Sequence, residues 1–331
     1  MMTIRLCTPK CFVILLGITS LVLIARTNLY KESFGSDDGR SCKPEPLLDS
    51  IARVNGMFDD LKTFVMFIGY SQSVESHTGA ILDAHPQIVI PQEYDVLGNW
   101  KMYQDKKLRD RGKQTHMLFF FLYYLSTFQA IFRNHANKPS QFWVWTSKVE
   151  NAQHYPLSDS WQGTTNGKIK VIGDTSSGST TRQLTMSQKN FTVLEDIQSV
   201  IGIPLKFLHI VTNPYDVIAS NVIRESRSTV NINDAKDVFA LVETNAELKK
   251  LYGDAVLDIS MDQFINNPRE TMIQICRFLQ VTFYNSYLDK VKGELNKEST
   301  GARYQVIWTD EEKEWVAAEM KKYSFLNSFD F

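Results

Sequence analysis

Between Thr63 and Gly69 the chain reads TFVMFIG, an apolar run without a charge. A strand with one wet face alternates apolar and polar residues. An unbroken apolar run of this length instead suits a strand covered on both faces, as inside a parallel sheet. The segments that follow repeat the theme. SHTGAILDA has helical spacing, QIVIPQEYD reads as a second short strand, and residues 99–133 read as a long amphipathic helix. KIKVIGD, LKFLHIV and AVLDIS read as the third, fourth and fifth strands with helices between them, and the helix of 267–280 starts at Asn267-Pro268. This alternation predicts an α/β fold, a doubly wound parallel sheet flanked by helices. The block MLFFFLYYL is too short to span a membrane and lies inside a helix with charged flanks, so it is expected to face the core.

The chain has 331 residues, enough for one large α/β domain or two small ones. A formal net charge of -1 gives no support for nucleic-acid binding, which calls for a basic excess. Any anion must therefore be met by a local cluster of donors. At the N-terminus, CFVILLGITSLVLIA is uncharged and mostly apolar, preceded by Arg5 and Lys10 and closed by Arg26. It is short for a plasma-membrane span and suits the thinner membranes of the early secretory pathway. The expected layout is a cytoplasmic tail at 1–10, a signal anchor at 11–26, a stem at 27–60 and a luminal domain at 61–331. The alternative is a cleaved signal and a secreted product, against which Leu23 stands where a small residue is wanted. Cys7 and Cys11 fall at the cytoplasmic edge of the anchor. Cys42 and Cys276 are the only cysteines in the remainder; they read either as a pair or as a stem cysteine and a buried helical one. No Cys/His spacing suggests a metal. Asn190-Phe191-Thr192 has the glycosylation acceptor pattern.

In an open α/β sheet, ligands bind beyond the carboxyl ends of the strands. Two strand ends here are unusual. The first is FIGYSQSVESHTGAILDAHP, residues 67–86, where a strand ends at Gly69 and a helix is expected from about Ser76. N–H groups at a helix start carry partial positive charge and attract phosphate or sulfate, and Ser71, Ser73 and Ser76 add hydroxyls. The Gly-Lys-Ser/Thr ending of a Walker A loop is missing, which disfavours a nucleotide kinase or triphosphatase. The second is LKFLHIVTNPYDVIASNVIR, residues 205–224. Asn213-Pro214 makes a turn into a helix on which Ser220 and Arg224 share a face.

Together these stretches resemble the sulfotransferase superfamily, whose members transfer a sulfuryl group from the nucleotide donor PAPS to a hydroxyl or amine. LDAHP followed by a strand and a Glu is most similar to the membrane-bound tyrosylprotein and carbohydrate branches. The resemblance spans roughly residues 63 to 325, and is sharp in these motifs and in WTDEEKEWVAAEMKKYSFL. It implies a P-loop-like fold, PAPS as co-substrate without metal, a carbohydrate or protein acceptor, and a single-pass type II Golgi protein with its catalytic domain luminal. It places Gln72, Ser73, Val74, Glu75 and Ser76 around the 5′-phosphosulfate, and Thr212 and Ser220 at the 3′-phosphate. Beside them Ser71 adds a hydroxyl, and His77 reads either as a substitute cation at the helix start or as a structural histidine. Glu93 falls where tyrosylprotein-type enzymes have a general base, and equally reads as a solvated strand-end residue. Arg303 falls where the family often sets a basic residue over the nucleotide, and equally reads as a surface arginine.

The departures from the family pattern are concentrated. Gln72 replaces the loop Arg/Lys, Val74 the Gly and Glu75 a hydroxyl residue, while Thr212 stands where Arg is expected. Loss of a group that stabilises developing charge costs on the order of 2.7–4 kcal/mol in the transition state. Gln72 donates only a neutral hydrogen bond, and Val74 adopts positive φ only with strain. The competing expectation is therefore an inactive member kept as a binding or scaffolding module. Candidate substitute cations are Lys148, Arg182 and Arg224. His85 reads as a helix-terminating packing residue. GDTSSGSTTRQ at 173–183 reads either as a cleft-lining segment or as a flexible polar loop.

Overall fold

The computed structural model describes residues 56–331 apart from 71, 93, 104–110, 135–167, 177 and 296–300. Side chains at 72–77, 111–114, 116, 128, 130–134, 290, 293 and 294 also fall outside the description. The tail, anchor, most of the stem, Cys7, Cys11, Cys42 and Lys148 thus lie outside the described residues, as do Ser71 and Glu93.

Five strands, β1 (Thr63–Gly69), β2 (Ile88–Val89), β3 (Val171–Asp174), β4 (Leu205–Val211) and β5 (Val256–Ser260), form one sheet in the order β2-β3-β1-β4-β5. Every pairing is parallel. The apolar run that opened the sequence is the central strand, and its register explains its composition. Val65 and Phe67 pack into a core with α1 (Gln72–Asp83), α8 (Met261–Asn266), α9 (Pro268–Leu279) and α10 (Asn285–Leu295). Phe64, Met66 and Ile68 face the opposite core, which is completed by α2 (Val96–Tyr103), α3 (Arg111–Asn134), α5 (Thr192–Ile201) and part of α7 (Ile232–Tyr252). Both faces are covered, so no position in β1 tolerates a charge. A third cluster, at the carboxyl ends of β1 and β4, joins Tyr70 and Val211 to α6 (Pro214–Arg224), α7 and α11 (Asp310–Met320). The remaining helix, α4 (Ser179–Met186), follows β3.

Three expected elements are corrected. The second strand shrinks to Ile88–Val89 plus an isolated bridge from Gln92 to Thr175. Pro91 has no N–H for a ladder, which ends the strand. The long 99–133 helix is two helices, α2 and α3, lying on either side of residues 104–110. The first helix starts at Gln72, not near Ser76. With no glycine in QSVES, nothing in the sequence favours a left-handed turn, and the residues run in helical conformation from the outset. Val74 therefore sits in an ordinary helix.

The aromatic block behaves as expected: Leu118, Phe119 and Leu122 are buried against the sheet. Among the described residues no helix is long and apolar enough to cross a membrane. Cys276 is a free thiol buried in the core on α9, and burial pushes it up to about 12. Asn190 is exposed at the start of α5, its Oδ1 accepting from the Thr192 hydroxyl at 2.8 Å.

LDAHP is a joint. The buried Asp83 carboxylate accepts from the Ile90 N–H at 2.7 Å and from the Ser126 hydroxyl at 2.8 Å, tying the end of α1 to β2 and α3. His85, 1 % exposed, lies 2.8 Å from the Thr282 carbonyl through Nε2 and 3.1 Å from the Gln87 N–H through Nδ1. A carbonyl only accepts and an N–H only donates, so Nε2 carries the proton and Nδ1 is the acceptor.

Candidate anion site at the ends of β1 and β4

β1 and β4 are adjacent and parallel, with Gly69 level with Ile210. The chain leaves both strands through short turns into α1 and α6, so two helix starts stand side by side at the sheet's carboxyl edge. Between these strands the connections diverge, β2 and β3 lying to one side of β1 and β4 and β5 to the other. Such a switch point opens a crevice in a doubly wound sheet. Each helix start carries the positive end of a helix dipole, roughly half a positive charge, although at α6 the N–H groups of Tyr215, Asp216 and Val217 are already bonded to Asn213.

At α6 the local chemistry is legible. Asn213 is the N-cap, its side chain accepting from the Tyr215 N–H at 3.0 Å, and Pro214 occupies the first helical position, where its missing N–H costs nothing. Tyr70, the residue after β1, reaches across to β4. Its hydroxyl donates to the Thr212 carbonyl at 2.6 Å and accepts from the Thr212 N–H at 3.3 Å. Burial raises this phenol far above the usual tyrosine range, so it stays protonated and holds the two strand ends together. On the other side, the Gly69 N–H donates to Thr181 Oγ1 at 3.0 Å, and that hydroxyl donates to Asn245 Oδ1 at 2.8 Å.

Two ionic clusters flank this edge. His209 on β4 is fully buried, with Nδ1 2.9 Å from Asp258 Oδ1 on β5, and Asp258 also bonds the Lys249 ammonium. Burial alone would raise the Asp258 carboxyl, but hydrogen bonds and charge from His209 and Lys249 outweigh it and hold it below the usual range. Arg303 lies against the first turn of α6. Its backbone N–H donates to Asp216 Oδ1 at 2.9 Å, its Nη2 stands 3.2 Å from Asp216 Oδ2, and its Nη1 donates to the Asp330 carbonyl at 2.6 Å.

The expected residues are placed as follows. The backbone of Gln72, Ser73, Val74, Glu75, Ser76 and His77 forms the opening turns of α1. Thr212 is buried at the end of β4, and its hydroxyl has no hydrogen-bond partner. Ser220 is exposed on α6, one turn beyond Asp216. Arg303 is tied to Asp216 and Asp330 rather than standing free over the site. Arg182 and Arg224 are exposed, and Arg224 donates to Asn221. Within GDTSSGSTTRQ the described residues are pinned: the buried Asp174 accepts from the Val96 N–H and the Ser176 hydroxyl, and α4 begins at Ser179.

Tyr70, the Thr181–Asn245 pair and the His209–Asp258 pair escaped the sequence reading. Tyr70 and His209 were signalled only by a polar residue in or beside an apolar strand, and Thr181 and Asn245 by nothing local. The partners lie tens of residues away. Sheet register brings Tyr70 to Thr212 and His209 to Asp258, and packing of α4 on α7 brings Thr181 to Asn245. The arrangement can hold an anion through N–H dipoles and hydroxyl or amide donors, with the described cations Arg303 and Lys249 each already engaged by a carboxylate.

No protein-family model matches this chain, and no curated protein matches it. Solved structures overlap it in outline. The sulfotransferase domain of the Synechococcus PCC 7002 olefin synthase is 17% identical, with 82% of this chain and 90% of that one covered at a TM-score of 0.41. A sulfotransferase from Alicyclobacillus acidocaldarius is 12% identical, with 82% and 97% covered at 0.39. A mouse sulfotransferase solved with PAP is 11% identical, with 82% and 89% covered at 0.38. Likeness at this level assigns neither activity nor ligand to this chain.

Proposed function

We propose that this chain is a member of the sulfotransferase superfamily that binds PAPS at the ends of β1 and β4. The reaction is transfer of a sulfuryl group to a hydroxyl of a carbohydrate or a protein tyrosine. The observation that carries the reading is the pair of adjacent helix starts, α1 and α6, at neighbouring parallel strand ends in the order β2-β3-β1-β4-β5. One nucleotide with a phosphate at each end of its ribose would meet one helix start with each. The buried, unpartnered Thr212 hydroxyl fits this reading as a donor awaiting an acceptor.

PAPS supplies the sulfuryl group when bound. The opening turn of α1 would hold the 5′-phosphosulfate, with Gln72 donating a neutral hydrogen bond toward the leaving group. Thr212 and Ser220 would hold the 3′-phosphate. Glu93 would accept the proton of the attacking hydroxyl. A second reading, an inactive binding module, is favoured by one specific observation: Arg303, the cation expected over the nucleotide, is occupied by Asp216 and the Asp330 carbonyl.

Calorimetric titration with PAP at low and physiological salt separates these readings from a fold without the site. Binding is expected, and is expected to weaken as salt rises. No heat at millimolar PAP removes the donor site. If PAP binds, Gln72→Arg should tighten it about tenfold or more, since a charged donor is worth about 1.5–3 kcal/mol. The luminal, Golgi placement rests on the apolar run at 11–25. Its test is protease protection of a C-terminal tag in microsomes: full protection is expected, and digestion of the tag in sealed vesicles would refute it.

A further inference from the structure

We propose that residues 324–331 form a strap that closes the end of β4 and competes with an anion for the same donors; this rests on the donor-site reading above. The segment is anchored in its middle and gripped at its end. Leu326 and Phe329 are buried in the cluster beneath α6, α7 and α11. Beyond them, the Asp330 carbonyl accepts from Asn213 Nδ2 at 2.7 Å and from Arg303 Nη1 at 2.6 Å. The Phe331 ring stands edge-on to Tyr215 at 5.1 Å and to Trp308 at 5.9 Å, yet remains 38% exposed. At the other end of the strap, Phe325 packs edge-on against His209 at 4.8 Å.

What the strap covers points to a ligand. His209 Nε2, Thr212 Oγ1 and Arg303 Nε are all buried without a hydrogen-bond partner, and each belongs to the strap's own contacts or their immediate neighbours. Buried polar atoms are nearly always satisfied, so several orphans at one strand end mark groups whose partner arrives in another state. A cleft of about 410 Å³ remains between Val211, Asp258 and Ser260 on the sheet side and Ser324–Ser328 on the strap side. The grip at Asp330 uses a neutral carbonyl on donors that include a guanidinium. A phosphate would replace it with charge-assisted bonds, which are stronger than bonds to a neutral carbonyl, so strap and anion exclude each other at Asn213 and Arg303. Residues 330–331, held by two hydrogen bonds, ring edges and the Lys313 ammonium 4.5 Å from the Phe331 ring, are the part proposed to lift while Leu326 and Phe329 stay seated.

The test compares PAP binding by the full chain with that of Phe331→Ala and of the chain lacking residues 330–331. Both variants are expected to bind at least fivefold more tightly, because the binding-competent fraction rises as the grip is lost. In the wild type, PAP should speed amide hydrogen exchange across 329–331. Thermal melts check folding, and Phe331→Ala carries the result if the deletion unfolds. Wild-type binding with unchanged or weaker variant affinity, or a strap that gains protection with PAP, overturns the strap alone. Absence of PAP binding by every form overturns the donor reading and the strap with it.

Discussion

Gly173→Ala is expected to leave little or no soluble folded protein. Gly173 lies in β3 opposite Val65 of the central strand, and a Cβ there would stand 2.1 Å from the Val65 carbonyl oxygen. The obstruction is backbone, so no rotamer change relieves it. β1 is also clamped between β3 and β4 with cores on both faces, so it has nowhere to retreat. Overpacking a tolerant core costs about 1–3 kcal/mol; a clash with a central strand should exceed that range and consume much of a typical domain's stability. Gly202→Ala is the matched control. Gly202 caps α5 at φ 68 with nothing within 4 Å of the added methyl, so only the left-handed conformation is penalised, at about 1 kcal/mol. Soluble yield and urea midpoints decide the matter: a Gly173→Ala protein as stable as Gly202→Ala would refute the register assigned to β1 and β3.

Acidification from pH 6.5 to 4 is expected to destabilise the domain by on the order of 3 kcal/mol through His85 alone. Burial, helped by the Lys170 charge and opposed by the Thr282 hydrogen bond, pushes this imidazole down to about 4. The geometry gives the reason: protonating Nδ1 would turn a donor against the Gln87 N–H that it now accepts. The folded value lies below the unfolded one, so neutral His85 leaves stability intact above about 6.5. Stability falls as the unfolded chain takes up its proton below that, and the loss levels off near 4. Asp258 and Asp234, whose carboxyls are lowered, lose their contribution as pH falls through the carboxylate range, so their loss begins at the acid edge of this window and falls mostly below it. Urea unfolding at pH 7.5 and 4.5 should show the wild type losing more stability than His85→Gln. Equal losses in the two proteins would remove His85 as the cause.

The strands were readable because burial writes composition. TFVMFIG is apolar on successive residues, the pattern of a strand covered on both faces, while LKFLHIV and KIKVIGD carry shorter apolar stretches interrupted by Lys, His and Asp. The Asn213-Pro214 cap was readable because capping chemistry is local. Element boundaries were less so. QIVIPQEYD contains a two-residue strand because Pro91 cannot extend the ladder, and QSVES joins α1 because helix and turn differ there only by a glycine that is absent. Arg303 was found as a position but not as a state, since its partners Asp216 and Asp330 lie 87 and 27 residues away.

By itself the sequence determined the class of fold, the identity of the five strands and the two strand ends from which helices start side by side. These depend on residue type and short-range spacing. Tertiary structure alone decided which groups those ends can offer. It set Tyr70 against Thr212, sealed His209 under Phe325, and spent Asn213 and Arg303 on a backbone carbonyl at the far end of the chain. Such contacts join residues distant in sequence through register and packing, and no local pattern encodes whether a donor is already taken.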